Sequence, residues 1–212
     1  MQKKLQNLIK KIIFLLFQDR QKTEFVRKAI HILSILLPIG YRYVFQNNKK
    51  ITILIYLCFL VIAMTIELLR LQNKTFKKFF FLIFGVILRK HEIHNFTGAS
   101  YLLVSCIVCI AFLPPDLAFV SLAFVSLGDT FAALIGMNFG KRKLLNSPKS
   151  FEGILACFTS TFLFGICFIN PIIAFFGAVT ASIAEVINIP IDDNVKIPVM
   201  SGIIMCMVWI LV

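Results

Sequence analysis

A chain of 212 residues that is 59% hydrophobic, with a mean hydropathy of +0.89, carries more apolar surface than a soluble domain of this size can bury. Its net charge of +12 is spread between apolar runs, which fits membrane topology and anionic lipid and argues against a nucleic-acid partner. Long apolar runs parted by charge clusters favour an all-α, polytopic transmembrane helical bundle over a β-barrel, read as one integral-membrane domain over 1–212.

Met1 to Lys28 is basic and amphipathic and lacks a small-residue cleavage site, so it reads as a cytoplasmic interfacial helix. Spans are expected near 29–45, 51–69, 98–113, 117–137, 151–169, 172–187 and 197–212. The run 79–88 falls short of the ~20 residues a crossing needs and is expected to be interfacial or re-entrant. With about seven spans and the N-terminus inside, 19 of the 22 lysines and arginines face the cytoplasm. Only Arg42, Lys49 and Lys50 lie outside. Nearly all acids gather on the same inner side, and Asp129 lies a turn or two deeper. The six cysteines all fall in apolar segments as small hydrophobes, and Cys106 and Cys109 have no second ligand pair for zinc.

Four constellations carry chemistry. Glu24, Arg27, Lys28 and His31 follow helical spacing and share one face at the start of the first span. Snorkelling accounts for Arg27 and Lys28, while His31 sits a turn inside the apolar run. The second is Asp129, a carboxylate at membrane depth that implies a cation, a proton path or a substrate. Beside it Gly128, Ala132, Gly136 and Gly140 recur every four residues. Such a stripe serves close helix packing or backbone approach to a phosphate.

The third follows the basic loop at Lys141: Lys149 offers a point charge for phosphate, Ser150 is an N-cap, and Glu152 and Gly153 open the next span. The fourth is Glu185 with Asp192, Asp193 and Asn194, hard oxygen ligands that suit Mg²⁺ together with substrate phosphates. Glu92 with His91 and His94 is a weaker grouping that lacks a third zinc ligand. No Walker A loop, GxGxxG, kinase catalytic loop or GxSxG is present.

In this order the four motifs resemble the family of dolichol kinase, phytol kinase and CTP-dependent diacylglycerol kinase, a match running from Glu24 to about Gly202. The resemblance implies a CTP-dependent lipid-alcohol kinase that uses Mg²⁺ or another divalent cation. Its substrates would be CTP or another nucleotide and a polyprenol, a phytol-like alcohol or diacylglycerol. It implies nucleotide binding by Gly128, Gly136, Gly140, Lys141, Lys149, Ser150, Glu152 and Gly153. Metal ligands are expected among Asp129, Glu185, Asp192 and Asp193, with Asn194 beside them. Asp129 is the expected proton acceptor, with His31 in reserve, and Lys149 neutralises the transferred phosphate. The related phosphatidate cytidylyltransferases are the alternative, although their Gly-His-Gly-Gly stretch and Asp-Arg-x-Asp cluster are missing. A small membrane transporter is a further alternative, weakened by the lack of an internal repeat. A bacterial cell membrane, with the site facing the cytoplasm, is the expected location.

Overall fold

A computed structural model describes residues 20–85, 87–89, 91–144 and 149–212, so most of the expected N-terminal interfacial helix lies outside the described residues. The described residues are helical almost throughout. Helix α1 (Arg20–Ile32) continues through a tighter turn at Leu33–Ile35, a regular turn at Leu36–Ile39 and a wider one at Gly40–Val44. Pro38, which has no N–H to give, sits where the winding becomes irregular. Gln46 and Asn47 then take φ of 51° and 60°, and this left-handed pair reverses the chain.

The following helices are α2 (Lys49–Gln72), α3 (Lys74–Phe84), α4 (Gly98–Phe112), α5 (Pro115–Phe139), α6 (Phe151–Ile166), α7 (Pro171–Val186) and α8 (Asp193–Leu211). Local chemistry sets most of their starts. Asn48, Asn73, Ser150, Asn170 and Asp192 each accept a hydrogen bond from a backbone N–H of the first turn they cap. Pro115 and Pro171 occupy first-turn positions where a missing N–H is harmless.

Helices α2, α5 and α8 are long and apolar enough to cross a membrane; α4, α6 and α7 are apolar but shorter. The run 79–88 begins inside α3, whose eleven residues are too few for a crossing. Bulky apolar side chains such as Leu54, Phe112, Leu163 and Ile210 point outward, as they would toward lipid.

Helix α5 is the axle of the bundle and packs against α1, α4, α6, α7 and α8. Phe119, Val120, Leu122, Phe124 and Val125 are fully or almost fully buried, because a helix that is apolar on all sides must be surrounded. The small-residue stripe runs along its contact with α6. A methyl group on Gly128 would come within 2.9 Å of Cys157 Sγ, and one on Gly153 within 2.7 Å of the Ala132 carbonyl. Close approach of two helices therefore accounts for the stripe. At the end of the bundle near Pro114, Arg42 donates to Asp116 at 2.6 Å and lies 4.9 Å above the Phe119 ring, while Lys49 donates to the Leu113 carbonyl at 2.7 Å.

Candidate active site

The other end of α5 collects the charges. Asp129 is 5% exposed, and α1 supplies partners for both of its carboxylate oxygens. Lys28, itself 2% exposed, pairs with Oδ1 and donates to the Asp129 backbone carbonyl at 3.1 Å. His31 Nε2 lies 3.3 Å from Oδ2. One turn on, Ser34 and Ser126 share a 2.6 Å hydrogen bond that fixes the register of the two helices. Two constellations that are distant in sequence are thus one unit. Glu24 pairs with Arg27 at 2.5 Å at the rim of this unit.

Glu185, near the end of α7, and Asp193, at the start of α8, complete an acid cluster with Asp129. One carboxylate oxygen from each lies within 4.8 Å of the others. Three buried or half-buried acids at this spacing repel one another unless cations stand between them. Lys149 is one such cation, with its ammonium 2.9 Å from Glu185 Oε1 and 3.5 Å from Asp193 Oδ2. Burial alone would lower the Lys149 pKa, but Glu185 first and then Asp193 outweigh it and raise the ammonium above its ordinary value. Lys196 holds Asp193 Oδ1 at 2.7 Å and also donates to the Ile187 carbonyl.

Glu185 Oε2 is buried and has no hydrogen-bond partner among the described residues. An orphaned carboxylate oxygen inside an all-oxygen donor set is what a hard divalent cation would satisfy. The residues therefore fit Mg²⁺, with Asp129, Glu185 and Asp193 as the donors.

The loop before α6 folds back to deliver Lys149. Phe151 N donates to the Arg142 carbonyl at 2.9 Å, and Leu144 N to the Lys149 carbonyl at 3.1 Å. Ser150 accepts from Gly153 N at 3.2 Å as the N-cap, and Glu152 accepts from Arg142 N at 3.3 Å. Ser150 and Glu152 are thus engaged in shaping the turn. Gly128 and Gly140 face α6, Gly136 and Gly153 both touch the seam and line a cavity, and Lys141 is exposed outside both cavities described below. Asp192 caps α8, accepting from the Asn194 N–H and from its side-chain amide, so Asn194 serves the cap.

Arg89 escaped the sequence reading. It stands 3.7 Å from Asp192 Oδ2. Burial alone would lower its pKa, but Asp129, Asp192 and Glu92 prevail and raise it. A second buried network aims it. Arg70, 0% exposed, pairs with Glu67 and donates to the carbonyls of Glu92 and Asn95 at 2.6 and 2.7 Å. The other Glu67 oxygen accepts from Thr97 N at 3.0 Å. The Glu92 carboxylate accepts from Arg89 N at 2.7 Å and from Gly98 N at 2.8 Å. Glu92 thus braces the loop that carries Arg89. Glu67 and Arg70 are polar groups at the end of an apolar run, which was the one available sign of their role.

Two cavities of about 560 Å³ each flank the cluster. One is walled by α1, α5 and α6 and includes Arg27, Lys28 and Lys143; the other is walled by the 89–101 and 186–193 segments. Arg89, Lys149, Glu185 and Asp193 line both.

The arrangement is a cluster of acids able to hold a cation, ringed by lysines and an arginine. The chain is similar to CTP-dependent diacylglycerol kinase 1 of Saccharomyces cerevisiae, with 27% identity over 212 residues, 87% of this chain and 73% of the relative. It is also similar to CTP-dependent diacylglycerol kinase 1 of Eremothecium gossypii, with 28% identity over 214 residues, 87% of this chain and 67% of the relative. These two relatives support a CTP-dependent lipid kinase family for the chain, in agreement with the resemblance carried by the motifs. No family model matches the chain, and no solved structure matches it significantly.

Proposed function

We propose that this protein transfers the terminal phosphate of CTP to the hydroxyl of a membrane lipid alcohol, with diacylglycerol the first acceptor to test. One observation carries the reading: Asp129, Glu185 and Asp193 converge beside Lys149 and Arg89 at the meeting point of two cavities, with one acid oxygen left unpartnered. Phosphoryl transfer needs few covalent roles from a protein, and positioning with electrostatic stabilisation suffices.

In this reading Asp129, Glu185 and Asp193 would hold Mg²⁺, which when bound neutralises charge on the nucleotide phosphates. Lys149 and Arg89 stabilise charge on the transferred group. Lys28 and His31 hold and orient the Asp129 carboxylate. That engagement favours an anchoring role for Asp129, and the hydroxyl proton passes to an oxygen of the transferred phosphate. We further read about seven crossings with the N-terminus inside and the site facing the cytoplasm, a topology supported by the 19 lysines and arginines it places there.

The test is label fate in membranes carrying the protein, Mg²⁺ and dioleoylglycerol or phosphatidate. Label from the γ-phosphate of CTP appearing in lipid is the expected result. Label from the α-phosphate appearing in lipid, with release of pyrophosphate, overturns the kinase reading in favour of a cytidylyltransferase.

A further inference from the structure

We infer that helix α3 is a docking surface for the anionic headgroup layer of the membrane, beside the loop that carries Arg89. Its level follows from its neighbour. Helix α2 has 24 residues, about 36 Å at 1.5 Å per residue, enough to cross the ~30 Å hydrocarbon core. It starts at the end of the bundle where Lys49 donates to the Leu113 carbonyl, and it finishes beside the buried Arg70 network. Asn73 then turns the chain, and its side chain accepts from Thr75 N and Phe76 N to cap α3. Helix α3 therefore begins where α2 has left the apolar layer.

The eleven residues of α3 present three faces. Phe80 is half-buried, with its ring 5.2 Å below the Arg70 guanidinium of α2. Phe79, Leu82 and Ile83 share a second face by their spacing, and they are 60%, 69% and 51% exposed. Lys74, Lys77 and Lys78 share a third face by the same spacing. Lys78 precedes Leu82 by one turn, so the basic face borders the exposed apolar one. The Lys77 ammonium stands 5.9 Å from the Phe81 ring, its stem laid along apolar surface. No acid occurs in the sequence between Glu67 and Glu92. The carboxylates of those two are occupied by Arg70 and by the backbone N–H groups of Arg89, Thr97 and Gly98. The segment thus supplies no counter-charge of its own.

A basic loop on the inner side of a membrane would account for the lysines alone and leave the exposed phenylalanine, leucine and isoleucine unexplained. A helix lying in the plane of the interface accounts for both. Its apolar face enters the acyl boundary while its lysines meet lipid phosphates and carboxylates. One lysine at such a surface favours anionic over neutral lipid by roughly fivefold. The docked helix adjoins the site twice. Phe80 touches the arginine that holds the Glu92 and Asn95 carbonyls, and Arg89 follows the end of α3 by five residues.

Fluorescence of the full-length protein in lipid vesicles tests the docking. Trp209 is the single tryptophan, so Leu82→Trp in a Trp209→Phe background reports on α3 alone. Lipid brominated on its acyl chains should quench the new indole, and aqueous iodide should not. At a matched minor fraction, brominated phosphatidylserine should quench more than brominated phosphatidylcholine, with a relative affinity of roughly fivefold or more. That preference should shrink at high salt and disappear when Lys74→Gln, Lys77→Gln and Lys78→Gln are combined. Quenching by iodide alone would put the face in water, and protection from both quenchers would mean that a second copy or another protein covers it; either result overturns the proposal. Equal quenching by the two lipids in the protein with all three lysines also overturns it. No turnover is required, so failure of the kinase reading would leave this outcome unaffected.

Discussion

Two buried charge clusters sit at the same end of this bundle and differ in how completely they are satisfied. Around Arg70, both oxygens of Glu67 and both of Glu92 have donors, and the guanidinium is shared between a carboxylate and two backbone carbonyls. Around Asp129, three acids crowd together, the nearby cations are shared, and Glu185 Oε2 has no donor among the described residues. A closed network needs nothing further and rigidifies what it touches; an open one retains capacity for a ligand. We therefore propose scaffolding for the first cluster and chemistry for the second. Arg89 joins them, with its backbone in one and its side chain in the other.

Breaking each cluster should give different signatures. The largest effect is expected from Asp129→Asn, which keeps the shape and removes the charge; transfer per folded molecule should fall by roughly 10²–10³-fold or more, measured as γ-label incorporation, with insertion intact and a lower thermal midpoint because buried Lys28 loses its partner. Arg70→Met should instead destabilise by about 3–5 kcal/mol, because it strands Glu67 and two carbonyls in a buried setting. A drop in thermal midpoint reports that loss, and an unchanged midpoint would contradict the scaffolding role.

Arg89→Ala isolates the link: activity should fall by tens of fold with little change in midpoint. In that background Glu92→Gln should add little further loss of activity if Glu92 works through Arg89; a full additive loss would separate the two residues.

The Lys149 pairing sharpens the comparison through pH. A lysine whose pKa is raised on folding contributes its full stabilisation below the ordinary lysine value and loses it as pH climbs through the raised one. The thermal midpoint gap between the parent and Lys149→Met should thus narrow as pH climbs above about 10. The smallest effect belongs to the opposite end of the molecule, where Arg42→Ala breaks an exposed pair with Asp116 and should cost under about 1 kcal/mol.

Much of this was legible in the chain itself. From Lys49 on, the apolar runs marked the long helices to within a few residues, but the first helix begins at Arg20, nine residues before the expected span, and α3 begins at Lys74, ahead of the run 79–88. Asp129, Lys149, Glu185 and Asp193 stood out since a charge near apolar sequence needs a reason. Arg70 and Arg89 did not stand out, because each resembles an ordinary basic flank and its meaning comes from partners brought together by folding. Asp192, expected as a metal ligand, caps a helix, and Glu152, expected at the nucleotide, accepts from a turn; neither local contact could be read from residue type. The glycine stripe had two readings, and the packing of Gly128 against Cys157 shows what a residue type leaves undecided.

The contact between Lys28 and the Asp129 backbone spans 101 residues, and that separation has a consequence for biosynthesis. Lys28 and His31 leave the ribosome long before the helix that neutralises them exists. Until α5 arrives, α1 must wait with its cation at the headgroup level, where a long lysine stem can reach water. Docking of α1 thus waits until α5 has been made. A chain interrupted before Asp129 keeps an unmatched positive charge on its first helix.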